Sequence, residues 1–171
     1  MKGLITLLAI LVVVGLGFFL YSTPSAPPAE MTDAEIAQIE VEVMQATNDM
    51  MAAWNAEDGL ASGAFFDSET LNVLWGGNEY DNPESFGEMY ATIWERFPSW
   101  DGGWDDSFVK VLGPNLALFR GRYHCTLTNQ AGVQTFWRPH FTALFERRTD
   151  GWKMTVVDHA VGTAEEVPEQ G

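Results

Sequence analysis

The sequence predicts an α+β domain, a cone-shaped curved antiparallel sheet wrapped on a long amino-terminal helix, preceded by an N-terminal transmembrane helix. Two observations carry the domain and one the membrane segment. Helical patterns come first and strand patterns run together at the end, an order typical of α+β rather than α/β folds. Apolar residues recur at helical spacing over 32–58, whereas 107–160 alternates with period two between turn residues. The first thirty residues lack either pattern and hold one long uncharged run.

Taken in order, "TDAEIAQIEVEVMQATNDMMAAWNAED" is the clearest helix. Thr32 or Asp33 can cap it, with Glu35 in the first turn. Ile36, Ile39, Val43, Thr47, Met50 and Trp54 form one stripe. Gly59 ends this helix or starts a short one, "LASGAFF". "TLNVLWGG" reads as a strand. "NEYDNPE" is a turn in which Asn82 can cap a helix beginning at Pro83, and "PESFGEMYATIWERF" fills that helix. "PSWDGGWDD" reads as a loop. The strands "SFVKVLG", "NLALFRGRYHCTLTN", "VQTFWRPHFTALFERR" and "GWKMTVVDHAVG" complete the domain.

The amino terminus has its own logic. Lys2 is followed by an uncharged run over 3–21, which at about 1.5 Å per residue nearly crosses a hydrocarbon core of about 30 Å. It exceeds the usual apolar region of a signal peptide. Lys2 on one side and only acids on the other place the amino terminus in the cytoplasm. The expected organisation is an anchor or signal segment over 1–22 and a Pro-rich linker over 23–32. The domain spans 33–163, and a disordered tail 164–171. The domain is then extracytoplasmic, and secreted if the leading segment is cleaved.

Charge narrows the partners. The net charge is −15, and fifteen Asp and Glu lie between Glu30 and Glu95 while no Lys or Arg lies between Lys2 and Arg96. Such a surface repels nucleic acid. The single Cys125 has no partner for a disulfide and sits within strand alternation, as a packing thiol does. Three scattered His without HExxH spacing give no metal site, and no cofactor motif is present. Seven Trp and eleven Phe suggest a core or cavity of large flat side chains.

The segment "HFTALFERRTDGWKMTVVDHAVG" and the helix ending in "AAWNAED" resemble the SnoaL-like domains of the nuclear transport factor 2-like superfamily. The match uses the turn Asp150-Gly151, Trp152 opening the last strand, and a polar residue six positions on, Asp158. It covers roughly 33–163. The resemblance implies a cone-shaped fold, frequent dimers, and a pocket used by cyclases, isomerases, dehydratases, hydrolases or plain binders. Many such proteins carry His where this chain has Asp158, with Ser two residues on where it has Ala160. His159 falls on the opposite face of an alternating strand, so that role does not pass to it.

Asp158 raises its own question. Trp152, Met154 and Val156 share a face whose next member is a carboxylate, and burying an ionised carboxylate is costly unless it is paired. With a three-residue hairpin loop, Thr142 lies opposite Asp158 and His140 opposite Ala160. His140, Thr142, Leu144, Met154, Val156 and Asp158 then line the inner face, with Tyr123 beside His140 and Arg138 one step along. A one-residue slip inverts this. The expected site has Asp158, His140 and Tyr123 as candidate catalytic groups and Trp54, Trp75, Arg138 and Thr142 as ligand-binding ones. A carboxylate and an imidazole in an apolar cavity suit proton transfer, and a Tyr hydroxyl can donate to a carbonyl oxygen.

Three functions compete. The first is a non-catalytic module binding a small apolar or carbonyl-containing ligand at a membrane surface. The second is a cofactor-independent isomerase, cyclase or dehydratase using Asp158 and His140. The third is a dimerisation or assembly module, for which Trp137, Phe141 and Phe145 on the convex face suit a homodimer.

Overall fold

The computed structural model describes residues 30–160 and 164–165. The proposed membrane segment and most of the linker lie outside them. Among the described residues no helix is long and apolar enough to cross a membrane.

Helix α1 spans Asp33–Asn55 and starts in a reciprocal cap. Thr32 Oγ1 accepts from the Glu35 amide at 3.2 Å, and Glu35 accepts from the Thr32 amide at 2.8 Å. Ile39, Val43, Thr47, Met50, Met51 and Trp54 are its buried face, close to the expected stripe. A short α2, Gly59–Gly63, is capped by Asp58. The hairpin β1 (Asn72–Trp75) and β2 (Asn78–Tyr80) turns through Gly76 and Gly77, both at positive φ. A two-residue turn matching the strand twist needs that conformation. Asn82 then caps α3, Pro83–Arg96.

The remaining strands are β3 (Ser99–Gly113), β4 (Leu116–Thr128), β5 (Gln134–Trp137), β6 (His140–Arg148), β7 (Gly151–Ala160) and β8 (Ala164–Glu165). The sheet order is β2-β1-β7-β6-β4-β5-β8, with β3 on the other edge of β4. Every strand pair is antiparallel except β1 with β7.

Four sequence expectations need correction. "PSWDGGWDD" is strand, not loop. Gly102 approaches β4 so closely that a Cβ would sit 2.8 Å from the His124 carbonyl oxygen. Asn55 completes this edge, donating to Gly102 O at 2.9 Å and accepting from Gly102 N at 3.0 Å. The long strand expected over 133–148 is two, because Arg138-Pro139 interrupts it where proline has no amide to offer. β5 pairs with the far half of β4 and β6 with the near half. Beyond 163, where a disordered tail was expected, Ala164–Glu165 pairs with β5.

The fourth correction decides the site. The β6–β7 turn is two residues long, with Arg148 opposite Gly151 rather than Trp152, and Gly151 at φ +118°. A bulge then inserts Thr155, so that Phe145 faces Met154 but Leu144 faces Val156. The buried Thr155 hydroxyl donates to Leu144 O at 3.4 Å. An extra residue shifts all that follows to the opposite face. Trp152 and Met154 point inward before the bulge, Val157 and His159 after it.

The end of the sheet at the β6–β7 turn is held by charge. Burial opposes ionisation of Asp67. Arg148, the Glu69 and Thr70 amides and the Thr70 hydroxyl outweigh it and hold the carboxyl well below its usual range. Arg148 Nε lies 2.6 Å from Asp67 Oδ2. Glu42 on α1 accepts from Arg147 and from the Trp152 indole, at 2.5 and 2.9 Å. Inside, Gly121 leaves room for Trp104, whose ring carbons lie 2.8 Å from where a Cβ would be. Gly121→Ala is expected to force the ring aside and cost about 1–3 kcal/mol, read as a lowered midpoint in urea denaturation.

Candidate functional site

Two rows of the sheet converge on the end of α1. Across one inward row Trp75, His159, Phe141 and Gly121 stand side by side on β1, β7, β6 and β4. Tyr123 follows Gly121 on the same face of β4. Trp54 enters from α1, Tyr90 from α3 and Trp100 from β3. Trp54 is the hub, with ring centroids 5.9 Å from Trp75, 6.0 Å from Tyr90, 5.8 Å from Trp100, 6.1 Å from Tyr123 and 6.2 Å from Phe141.

Within this cage Tyr123 and His159 form a hydrogen-bonded dyad, Oη to Nε2 at 2.7 Å. Tyr123 is 1% exposed and His159 3%. The imidazole stacks on Trp75 at 3.6 Å with planes 13° apart. Burial pushes the His159 pKa down to about 3, so the ring is neutral. Burial, then the neighbouring Cys125 and Tyr90, pushes Tyr123 well above its ordinary value. Burial likewise pushes the Cys125 thiol up to about 12, leaving it inert.

The cage is full but not satisfied. Its residual cavity is about 10 Å³, lined by Trp54, Trp75, Tyr90, Ile93, Trp94 and Trp100, at the lower edge of what admits one water. Around it Trp54 Nε1, Tyr90 Oη and Trp100 Nε1 are buried without a hydrogen bond of ordinary geometry, although the Trp54 indole lies close enough to the Tyr90 hydroxyl to act on its titration. His159 Nδ1, off the cavity, is also buried and unpartnered. Trp104 Nε1 and Trp137 Nε1 share this condition. Native proteins pair nearly all buried polar atoms, so three around one cavity mark a place where a partner belongs.

Of the residues expected to form the site, Tyr123, Trp54 and Trp75 are in the cage. Asp158, His140 and Arg138 are exposed and Thr142 is half-buried; Asp158, His140 and Thr142 lie on the outer face. The cross-strand partners of Asp158 and His140 are as expected, Thr142 and Ala160. The faces are not. Phe141 lies opposite Gly121 and His140 opposite Arg122, so β6 turns Phe141, Ala143 and Phe145 inward. Asp158 is on the convex side and cannot reach Tyr123, which removes the pairing of Asp158 with His140 as an internal acid and base. Arg138 instead holds its guanidinium 5.5 Å from the Phe136 ring. The convex dimer face built on Trp137, Phe141 and Phe145 also fails. Both phenylalanines are 0% exposed, and Trp137 lies opposite inward-facing Cys125.

His159, Tyr90 and Trp100 are the cage residues that sequence reasoning missed. The one local sign was the adjacent pair Val156-Val157, which strict alternation does not accommodate and a bulge does. Among the described residues no group of three or more His, Cys, Asp or Glu is placed to hold a metal.

No protein-family model matches the sequence, and no curated protein matches it. Solved structures match the fold. The hexachlorocyclohexane dehydrochlorinase LinA-type3 from Novosphingobium barchaimii LL02 has a TM-score of 0.70 at 11% identity, over 81% of this chain and 97% of that one. A provisional scytalone dehydratase from Novosphingobium aromaticivorans DSM 12444 has a TM-score of 0.71 at 10% identity, over 82% and 95%. A nuclear transport factor 2 superfamily protein from Salmonella enterica serovar Typhimurium LT2 has a TM-score of 0.68 at 15% identity, over 79% and 98%. At such identities the likeness speaks for the fold and not for an activity. The chain has the fold of these proteins, the nuclear transport factor 2-like fold.

Proposed function

We propose that this domain binds a small, flat, neutral molecule, apolar or carbonyl-bearing, in the aromatic cage, without performing chemistry on it. One observation carries the reading: the three unpartnered polar atoms of Trp54, Tyr90 and Trp100 around one residual cavity. Trp54 and Trp100 offer only N–H donors, and Tyr90 offers a hydroxyl. A ligand that brings acceptors, as a carbonyl does, satisfies them, while the rings take its flat faces. The cavity of about 10 Å³ requires a ring to swing aside on binding. Trp94, half-buried and stacked on Tyr90 at 5.1 Å, stands at its edge. Coumarin, neutral and flat with one carbonyl, is a suitable probe. Saturable quenching of tryptophan fluorescence, weakened at least tenfold in Trp100→Ala, is expected. Quenching that stays linear in coumarin, or is equal in both proteins, would sink the reading.

A second reading keeps the cage and adds proton transfer by the Tyr123–His159 dyad. Dehydrochlorinase and dehydratase names among the similar folds accord with it. The imidazole argues against it. With its pKa near 3, protonating it at pH 7 costs roughly 5 kcal/mol, whereas a general base works best near the operating pH.

The setting is also a proposal. The uncharged run over 3–21 anchors the protein and leaves the domain extracytoplasmic. Removing residues 1–30 is expected to leave a soluble, folded domain; an insoluble or unfolded product would place the boundary wrongly. A homodimer would use the outer sheet face, where Leu74, Phe108, Leu112 and Val156 are exposed.

A further inference from the structure

The outer face of the sheet carries a basic hollow that the cage does not use. Its volume is about 250 Å³, and Asp106, Phe108, Arg120, Arg122 and His140 line it. Arg122 stands between Asp106 on β3 and His140 on β6, and Arg120 between Phe108 and Thr142. Two residues apart on β4, the arginines leave the same face roughly 7 Å from each other.

The basic residues of this chain are scarce, nine against 24 acids. Arg147, Arg148 and Lys153 are joined to carboxylates. Arg120 and Arg122 have no ion-pair partner among the described residues, although Asp106 faces Arg122 across the strands. Like charges side by side on a sheet face oppose folding. Two adjacent guanidinium groups without a carboxylate between them therefore bring no stability to the fold.

We propose that Arg120, Arg122 and His140 bind a small oxyanion of the phosphate or dicarboxylate class. Each guanidinium presents a planar fork that fits two anionic oxygens, and the imidazole adds a third donor from the next strand. Asp106 is the only carboxylate on the lining, so two fixed positive charges face one negative. The volume suits a small anion. The acidity of the rest of the chain repels polyanions such as nucleic acid.

The test uses the full chain, with inorganic phosphate and malonate each compared with chloride at equal ionic strength. Wild-type protein is expected to gain thermal stability, by roughly 3 °C or more at ten times the dissociation constant. In Arg120→Gln/Arg122→Gln the affinity should fall at least tenfold. Both positions are exposed, so the variant should fold. The anion that binds more tightly identifies the class. No gain over chloride, or an equal gain in the variant, overturns the proposal. So does a change of molecular mass in the variant without any anion effect, because the guanidinium groups would then serve contact with a second copy.

Discussion

Acidification from pH 7 towards pH 3 is expected to remove roughly 5 kcal/mol of folding stability through His159 alone. In the unfolded chain this imidazole titrates at its ordinary 6.5; in the folded protein burial lowers it to about 3. Between those values the unfolded state binds a proton that the native state refuses. The contribution is whole above 6.5 and is lost as pH falls towards 3. Domains of this size have about 5–15 kcal/mol in all, so unfolding near pH 4 is expected. Asp67 adds a further loss below its ordinary 3.8, as its contacts with Arg148 and the nearby amides lose their charge. Urea denaturation between pH 7.5 and pH 3.5 measures the His159 contribution; the Asp67 loss falls below that range. The double variant Tyr123→Phe/His159→Phe should keep most of its stability at pH 7, because both hydrogen-bond partners go together. It should also lose the slope between 6.5 and 4. His159→Phe alone leaves the Tyr123 hydroxyl unpaired and should cost about 1–3 kcal/mol at neutral pH. A wild-type curve flat down to pH 4 would mean that His159 is not buried as described.

Trp54→Ala is expected to be the most destabilising single truncation of the cage, at about 3–5 kcal/mol. The ring is 2% exposed, and five other rings rest on it. They come from four strands and α3, so the void left behind cannot close by moving one neighbour. Thermal melts followed by near-ultraviolet circular dichroism should show a large fall in midpoint and a weakened aromatic signal. Trp137→Glu, at a half-buried position, should cost much less. Equal losses at the two positions would contradict the placement of Trp54 as the hub.

Much of the fold could be read from the chain because local chemistry dictates it. Thr32 with Glu35 and Asn82 with Pro83 mark element ends by capping that needs no tertiary context, whereas Asn78–Tyr80, read as turn, is β2 and the turn lies at Gly76-Gly77. The inward face of β4 was legible for the same reason: Ala117, Phe119, Tyr123 and Cys125 alternate without interruption. The site was legible only in part. Trp54, Trp75 and Tyr123 follow from helix stripe and strand alternation. Asp158 and His140 were placed inside because alternation was carried through Thr155. A bulge there depends on the Leu144 carbonyl across the hairpin, which no local pattern encodes. Pro139 and the close approach of Gly102 to His124 show the same limit. Each marks a pairing between distant segments.

The most direct measurement is a crystal structure of the protein, grown without added ligand, at a resolution that shows single waters. The account predicts a small molecule or an ordered water in the cage, within about 3 Å of two or more of Trp54 Nε1, Tyr90 Oη and Trp100 Nε1. Rings repacked so that these three atoms are satisfied within the protein, with no density between them, would contradict it.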